Sequence, residues 1–307
     1  MLWKFLNQKN SWSNHQMKLN VNFDLDSSLC CGQVFRWKKI GDWWYGVVGE
    51  NIIKIRQINK ELEFKNVNED FVRQYFGLND NLEEIKCQIS KDDYIRAALS
   101  RFDGLHLVRQ LPWECLSSFI CATYKSIAAI ESMLRNLSEM YGEQKVVDGY
   151  TFFTFPTAEK LALSDVTGLQ KCGLGYRAKY LHATAKKICN EKIDLDALKT
   201  LTYLEARKKL LSFPGVGLKV ADCVLLFSMG KLEAFPVDVW VKRVILRHYS
   251  NNFPEETIKK MLSHESLTNG EYEKIGDFAR SYFGCYAGYA QEYLYHYERT
   301  KTLKSSQ

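Results

Sequence analysis

No two of the nine cysteines form a Cys-x-x-Cys pair and their number is odd, so the chain carries neither a disulfide framework nor a zinc-ribbon pattern. Free thiols in a reducing compartment are the expectation. No apolar run reaches membrane-spanning length, no low-complexity tract or repeat is evident, and no charged-then-apolar leader with a cleavage site stands at the start. These absences point to a cytoplasmic protein with no membrane partner and no secretion signal. Strong charge of either sign is missing too: a net charge of +6 is a mild basic bias, which suits a polyanionic partner without identifying one. No complete ligand set implies a metal or an organic cofactor.

What is present is length and pattern. At 307 residues the chain exceeds what one core usually holds, so two or three domains are expected, divided here as 1–104, 105–212 and 213–307. Alternation at Val21, Phe23 and Leu25, and of Ile53 and Ile55 with Lys54 and Arg56, predicts strands from about residue 21 to 64. Gly41-Asp42 and Gly49-Glu50-Asn51 are turn signals, and Gly32 reads as a bulge or turn. From Asn68 the period becomes helical, with Phe71, Tyr75 and Phe76 on one face and Asp92-Asp93 near a later helix start. The fold class that follows is α+β, an N-terminal antiparallel sheet domain followed by a mainly helical region.

Pro112 opens a helix that runs to the polar break at residues 122–126. There an exposed Tyr124 beside Lys125 either stacks on nucleic acid or turns an ordinary helix corner. Residues 172–180 form a glycine-punctuated turn leading into a basic helix with Arg177, Lys179, Lys186 and Lys187, and Tyr176 stands at its lip. A helix N-terminus of this kind binds phosphate; a solvated charged face is the alternative.

A helix-hairpin-helix follows. Leu204, Leu210 and Leu211 are the expected inner stripe of its first helix, Gly215 and Gly217 shape the hairpin, and residues 218–229 form a second helix closed by Gly230. Glycines let hairpin amides approach a phosphate closely. The second helix is apolar around nearly its whole circumference, which makes Lys219 in its first turn conspicuous. The positive end of the helix dipole and partial burial both favour the neutral amine, a nucleophile suited to Schiff-base chemistry; a lysine that grips phosphate as a point charge has the same position. Asp238 has the place of an N-cap, where backbone N–H groups keep a carboxylate ionised and able to stabilise positive charge on a sugar.

Leu211-Ser-Phe-Pro-Gly-Val-Gly-Leu-Lys-Val-Ala-Asp-Cys223 with Phe235-Pro-Val-Asp-Val239 resembles the helix-hairpin-helix, Gly/Pro-rich loop and aspartate signature of DNA glycosylases, in particular the 8-oxoguanine DNA glycosylase/lyase family. Segments at 28–37, 110–121, 173–180 and 283–291 resemble that family in its order, so the likeness spans about Ser28 to Tyr295. The resemblance implies a monomer acting on duplex DNA that contains 8-oxoguanine, within the nucleoid if the source is bacterial. Lys219 would displace the damaged base and form the Schiff base from which β-elimination follows, with Asp238 stabilising the sugar cation. Gly32 would accept the N–H that oxidation adds to the purine, and Gln291 would read the Watson-Crick edge. Cys223 and Tyr295 would sandwich the base beside Phe227. Gly215, Gly217 and Val220, with Tyr124, Lys125, Tyr176 and Arg177, would hold the DNA.

Three departures qualify the likeness. Tyr295 stands where phenylalanine is expected, adding a hydroxyl that needs a partner. Trp240 replaces a histidine found near a DNA phosphate in some members. Tyr124 and Ala129 stand where many members have a gap-filling asparagine and a cytosine-reading arginine, which leaves Arg177 as the candidate reader and predicts relaxed preference for the base opposite the lesion. Three other readings compete. An alkylated-base glycosylase would not need Lys219, an iron-sulfur endonuclease would need clustered cysteines beyond the hairpin, and a non-catalytic helix-hairpin-helix module would need neither Lys219 nor Asp238.

Overall fold

Alternating apolar residues build a five-stranded antiparallel sheet in the computed structural model, which describes residues 17–305. Its strands are β1 (Met17–Asn20), β2 (Trp37–Ile40), β3 (Trp43–Val48), β4 (Asn51–Ile58) and β5 (Glu61–Lys65), in the order β1-β5-β4-β3-β2. Gly41 and Gly49 make the two tight turns at φ of 57° and 58°. The expected strand through Val21, Phe23 and Leu25 is absent. Asp24 instead accepts the N–H of Ser27 at 2.9 Å and caps helix α1 (Leu25–Cys30), so a local capping bond outweighs three residues of alternation. Phe23 and Leu25 are buried all the same.

One face of the sheet packs Ile53, Ile55, Leu62 and Phe64 against Phe71, Val72 and Tyr75 of α2 (Glu69–Tyr75), which Asn68 caps. The other face carries Tyr45, Val47 and Ile52. Helices α3 (Leu82–Ile89) and α4 (Asp93–Arg101), the latter capped by Asp92, place Leu82, Ile85, Ile89 and Ile95 in a larger helical core. That core is completed by α5 (Pro112–Ala122) and α6 (Ile127–Tyr141). The hairpin of β6 (Gln144–Val147) and β7 (Tyr150–Phe153) then reaches back to the sheet, stacking Phe152 on Tyr45 with ring centres 5.5 Å apart.

The remaining helices are α7 (Ala158–Leu163), α8 (Val166–Leu169), α9 (Arg177–Glu191), α10 (Tyr203–Leu210), α11 (Leu218–Phe227), α12 (Val239–His248), α13 (Glu255–Ser263), α14 (Asn269–Phe283) and α15 (Ala287–Ser305). Helices α10 and α11 are the helix-hairpin-helix. The expected inner stripe of α10 is corrected: Leu204 is 69% exposed and Leu211 is exposed as well, while Tyr203, Ala206, Arg207 and Leu210 face inward. A capping box between Thr202 and Glu205 starts the helix and fixes its rotation. Helix α11 ends two residues earlier than expected. The Gln110 amide takes the Phe227 carbonyl at 2.7 Å and Ser228 Oγ donates to the Gln110 carbonyl at 2.8 Å, so a distant segment terminates the helix before Gly230 turns the chain at φ 69°.

Candidate active site

The hairpin is pinned from beneath by α9, where Thr184 Oγ1 donates to the Pro214 carbonyl at 2.9 Å and Lys187 Nζ to the Ser212 carbonyl at 3.1 Å. Gly215 is required twice over. Its φ is 77°, and a Cβ would lie 2.6 Å from Tyr180 Cβ. Gly217 faces open space and caps α11 without a side chain, which leaves the first-turn amides of α11 with no side-chain acceptor. Val220 is buried, so only its backbone can serve a bound strand.

Lys219 is the second residue of α11 and half-buried, its Nζ 5.9 Å from the ring centre of Phe119. Asp238 caps α12, its Oδ1 accepting the amides of Trp240 and Val241, each at 2.9 Å. The cap is as expected, but its electrostatic effect is corrected. Burial raises the Asp238 carboxyl above the usual range, and the Lys219 charge and the two amides only oppose that rise.

Lys219 and Asp238 line one cavity of about 90 Å³ together with Gly32, Lys125, Cys223, Phe227, Gln291 and Tyr295. Eight expected residues from five separate stretches of chain therefore meet. Gly32 follows α1 at φ 106°, and a Cβ there would meet Ile127, Tyr295 and Arg299 at 3.1 to 3.3 Å, so the glycine keeps this wall open. Cys223 and Phe227 project from successive turns of α11; burial pushes the Cys223 thiol up to about 12, which keeps it a neutral contact surface. Phe227 stacks on Phe119, with ring centres 5.6 Å apart. Gln291 and Tyr295, one turn apart on α15, line the cavity side by side, and the added Tyr295 hydroxyl lies 3.4 Å from Arg299 Nη1.

Tyr124, Tyr176 and Arg177 stand outside the cavity lining. Tyr124 adopts φ 54°, unusual for a non-glycine residue, and is 78% exposed with its hydroxyl 3.2 Å from Ser266 Oγ. Tyr176 is 53% exposed. Arg177 is buried rather than displayed on the basic face of α9. Its Nε donates to the Thr123 carbonyl at 3.2 Å, Nη2 donates to the same oxygen, and the guanidinium lies 4.5 Å over the Tyr176 ring. The carbonyl at the end of α5 lacks a helical donor, and Arg177 supplies it. Trp240 packs beneath Arg243, whose guanidinium is 4.6 Å from its ring.

Two acidic residues of the site escaped sequence reasoning. Asp222, on the inner side of α11, pairs with Arg207 and accepts from the hydroxyls of Tyr203 (2.9 Å) and Tyr272 (2.8 Å). The Tyr272 hydroxyl also receives the Val237 amide at 3.3 Å, which ties α11 to the segment that carries Asp238. Glu292 lines the cavity beside Gln291. The signal for both was a carboxylate within an apolar helical stretch.

Residues 16–116 match the model of the 8-oxoguanine DNA glycosylase N-terminal domain, and residues 118–265 match that of the HhH-GPD superfamily base excision DNA repair protein. The N-glycosylase/DNA lyase of Saccharomyces cerevisiae is 32% identical over 326 aligned positions, covering 91% of this chain and 85% of the yeast protein. The apo-form crystal structure of Clostridium acetobutylicum 8-oxoguanine glycosylase/lyase superposes with a TM-score of 0.83 at 33% identity, covering 93% of this chain and 97% of that one. The structure of the same enzyme with double-stranded DNA containing cytosine opposite 8-oxoG gives 0.82 at 31% identity, covering 94% and 98%. With its sheet domain and its helix-hairpin-helix region both matched and the likeness running along nearly the whole length, the chain belongs to the 8-oxoguanine DNA glycosylase family.

Proposed function

We propose that this protein is a bifunctional DNA glycosylase/lyase that excises 8-oxoguanine from duplex DNA in base excision repair, working as a cytoplasmic monomer through a Schiff base on Lys219. The observation that carries the reading is the meeting of Lys219 and Asp238 with Gly32 and Gln291 around one cavity. A nucleotide flipped out of the helix presents its base to that cavity and its sugar to the lysine. The Lys219 amine attacks C1′ of the deoxyribose, and the bond from C1′ to the base breaks with its electron pair leaving on the base. Ring opening of the sugar gives the protonated Schiff base. Loss of a C2′ proton then expels the 3′ phosphate and cleaves the strand. An ionised Asp238 offsets the positive charge that grows on the sugar as the base departs.

The Gly32 carbonyl accepts the N–H that 8-oxoguanine has and guanine lacks, and the Gln291 amide reads the Watson-Crick edge. The α11 amides at the hairpin hold the strand, with Lys125 at the cavity wall. Opposite-base preference is relaxed, since Tyr124 and Ala129 supply no cytosine-reading group and Arg177 is spent on the Thr123 carbonyl.

Borohydride reduction during turnover tests the lysine chemistry. A covalent enzyme-DNA adduct is expected from the wild type and none from Lys219→Gln. Adduct formation by the variant would move the nucleophile elsewhere, and excision without any adduct would favour the alkylated-base class, which needs no lysine. Excision rates opposite each of the four bases test the preference, and a strong advantage for cytosine would refute it.

A further inference from the structure

Three buried polar atoms of α15 have no hydrogen-bond partner among the described residues: Gln291 Oε1, Glu292 Oε1 and Arg299 Nε. An unmet buried acceptor is costly, so one placed in a cavity wall implies a partner yet to arrive. Gln291 already has such a role. Glu292 does not, although it is only 2% exposed, lines the same cavity and lies near the Cys31 thiol. Arg299 Nη2 donates to the Cys30 carbonyl at 2.7 Å. Arg299 thus holds the turn that presents Gly32, and Glu292 on the same helix keeps an oxygen free.

We propose that Glu292 is a second reader of the flipped base, its free carboxylate oxygen accepting an N–H of the lesion beside the Gln291 amide and the Gly32 carbonyl. The inference rests on the reading of this cavity as the lesion pocket. An ionised carboxylate only accepts, and 8-oxoguanine offers three kinds of N–H: the ring N–H added by oxidation, the N–H of the Watson-Crick edge and the exocyclic amine. Away from water such a charge-assisted bond is stronger than a neutral one.

Burial pushes the Glu292 carboxyl up to about 7, with Asp238 adding to the rise and the Cys31 thiol and Arg299 opposing it. Lys125 and Lys219 line the same cavity, while burial holds the Cys223 thiol and the Tyr295 hydroxyl protonated. The acceptor role needs the ionised form. Recognition of the lesion therefore strengthens as pH rises through about 7 and is lost below it.

Glu292→Gln keeps the shape and an acceptor oxygen while removing the charge. Single-turnover excision from an 8-oxoguanine duplex is expected to fall on the order of 10- to 100-fold, the loss of one charged hydrogen bond. Its rise with pH through about 7 should vanish. Borohydride trapping on a preformed abasic site needs Lys219 but no base, and should persist in the variant. Equal losses on both substrates would make Glu292 merely structural and overturn the proposal, as would unchanged excision with an unchanged pH profile. A wild-type protein that leaves 8-oxoguanine in place would overturn the function itself, a failure told apart because no variant is involved.

Discussion

Arg207 and Asp222 form an ion pair of 3.0 Å inside the protein, their side chains 8% and 1% exposed. The pair joins the two helices of the hairpin motif, and through Tyr272 it extends to the Val237 amide next to Asp238. Asp222 is accordingly a positioning residue. It sets the segment bearing Asp238 against the helix bearing Lys219.

Removing one partner leaves the other charge buried and alone. Asp222→Ala is expected to cost about 3 to 5 kcal/mol in chemical denaturation, since Arg207 keeps only the more exposed Glu273. The double change of Arg207 and Asp222 to apolar residues should recover much of this loss. A small effect from the single change would show that water reaches the pair.

The two hairpin glycines should respond unequally. Gly215→Ala forces a Cβ to 2.6 Å from Tyr180 at positive φ, and roughly 1 to 3 kcal/mol of stability should be lost. Gly217→Ala meets nothing, and its melting temperature should stay close to that of the wild type. Equal effects would contradict the geometry.

Arg177→Ala leaves the Thr123 carbonyl without its two donors and loosens the turn that carries Tyr124. A loss of about 1 to 3 kcal/mol in unfolding free energy is expected, with excision lowered by a similar factor opposite all four bases. A selective loss opposite cytosine would instead restore Arg177 as a base reader.

Acid sensitivity has a local source in His296, which lies against Phe102 with ring centres 4.2 Å apart and whose pKa burial lowers from 6.5 to about 3. Between those values the unfolded chain binds a proton that the folded chain refuses, so stability falls as pH drops from about 6.5 to about 3. Replacing His296 with Phe should flatten that part of the pH dependence, read as the difference between the two unfolding curves. Parallel curves would mean that the ring is protonated in place.

The α+β class, the two-part order of sheet then helices, the hairpin and the Asp238 cap were legible in the chain itself. Each rests on short-range rules: alternation in β4, glycine at a tight turn, an aspartate where a helix begins. Such rules act within a few residues, so they survive without knowledge of the fold. They failed where a local bond competed with alternation, as at Asp24, and where rotation of a helix was set by its cap, as in α10.

Only the tertiary structure decided what long-range partners decide. Arg177 looked like an exposed base on a basic helix until the end of α5 was seen to lack a donor. Asp222 was one carboxylate in an apolar helix, and its meaning depends on α10 and α14. Glu292 depends on the turn after α1. The physical reason is the same in each case. A buried polar group has to be satisfied, its partner comes from whichever element the packing brings near, and nothing in the adjacent residues says which element that is.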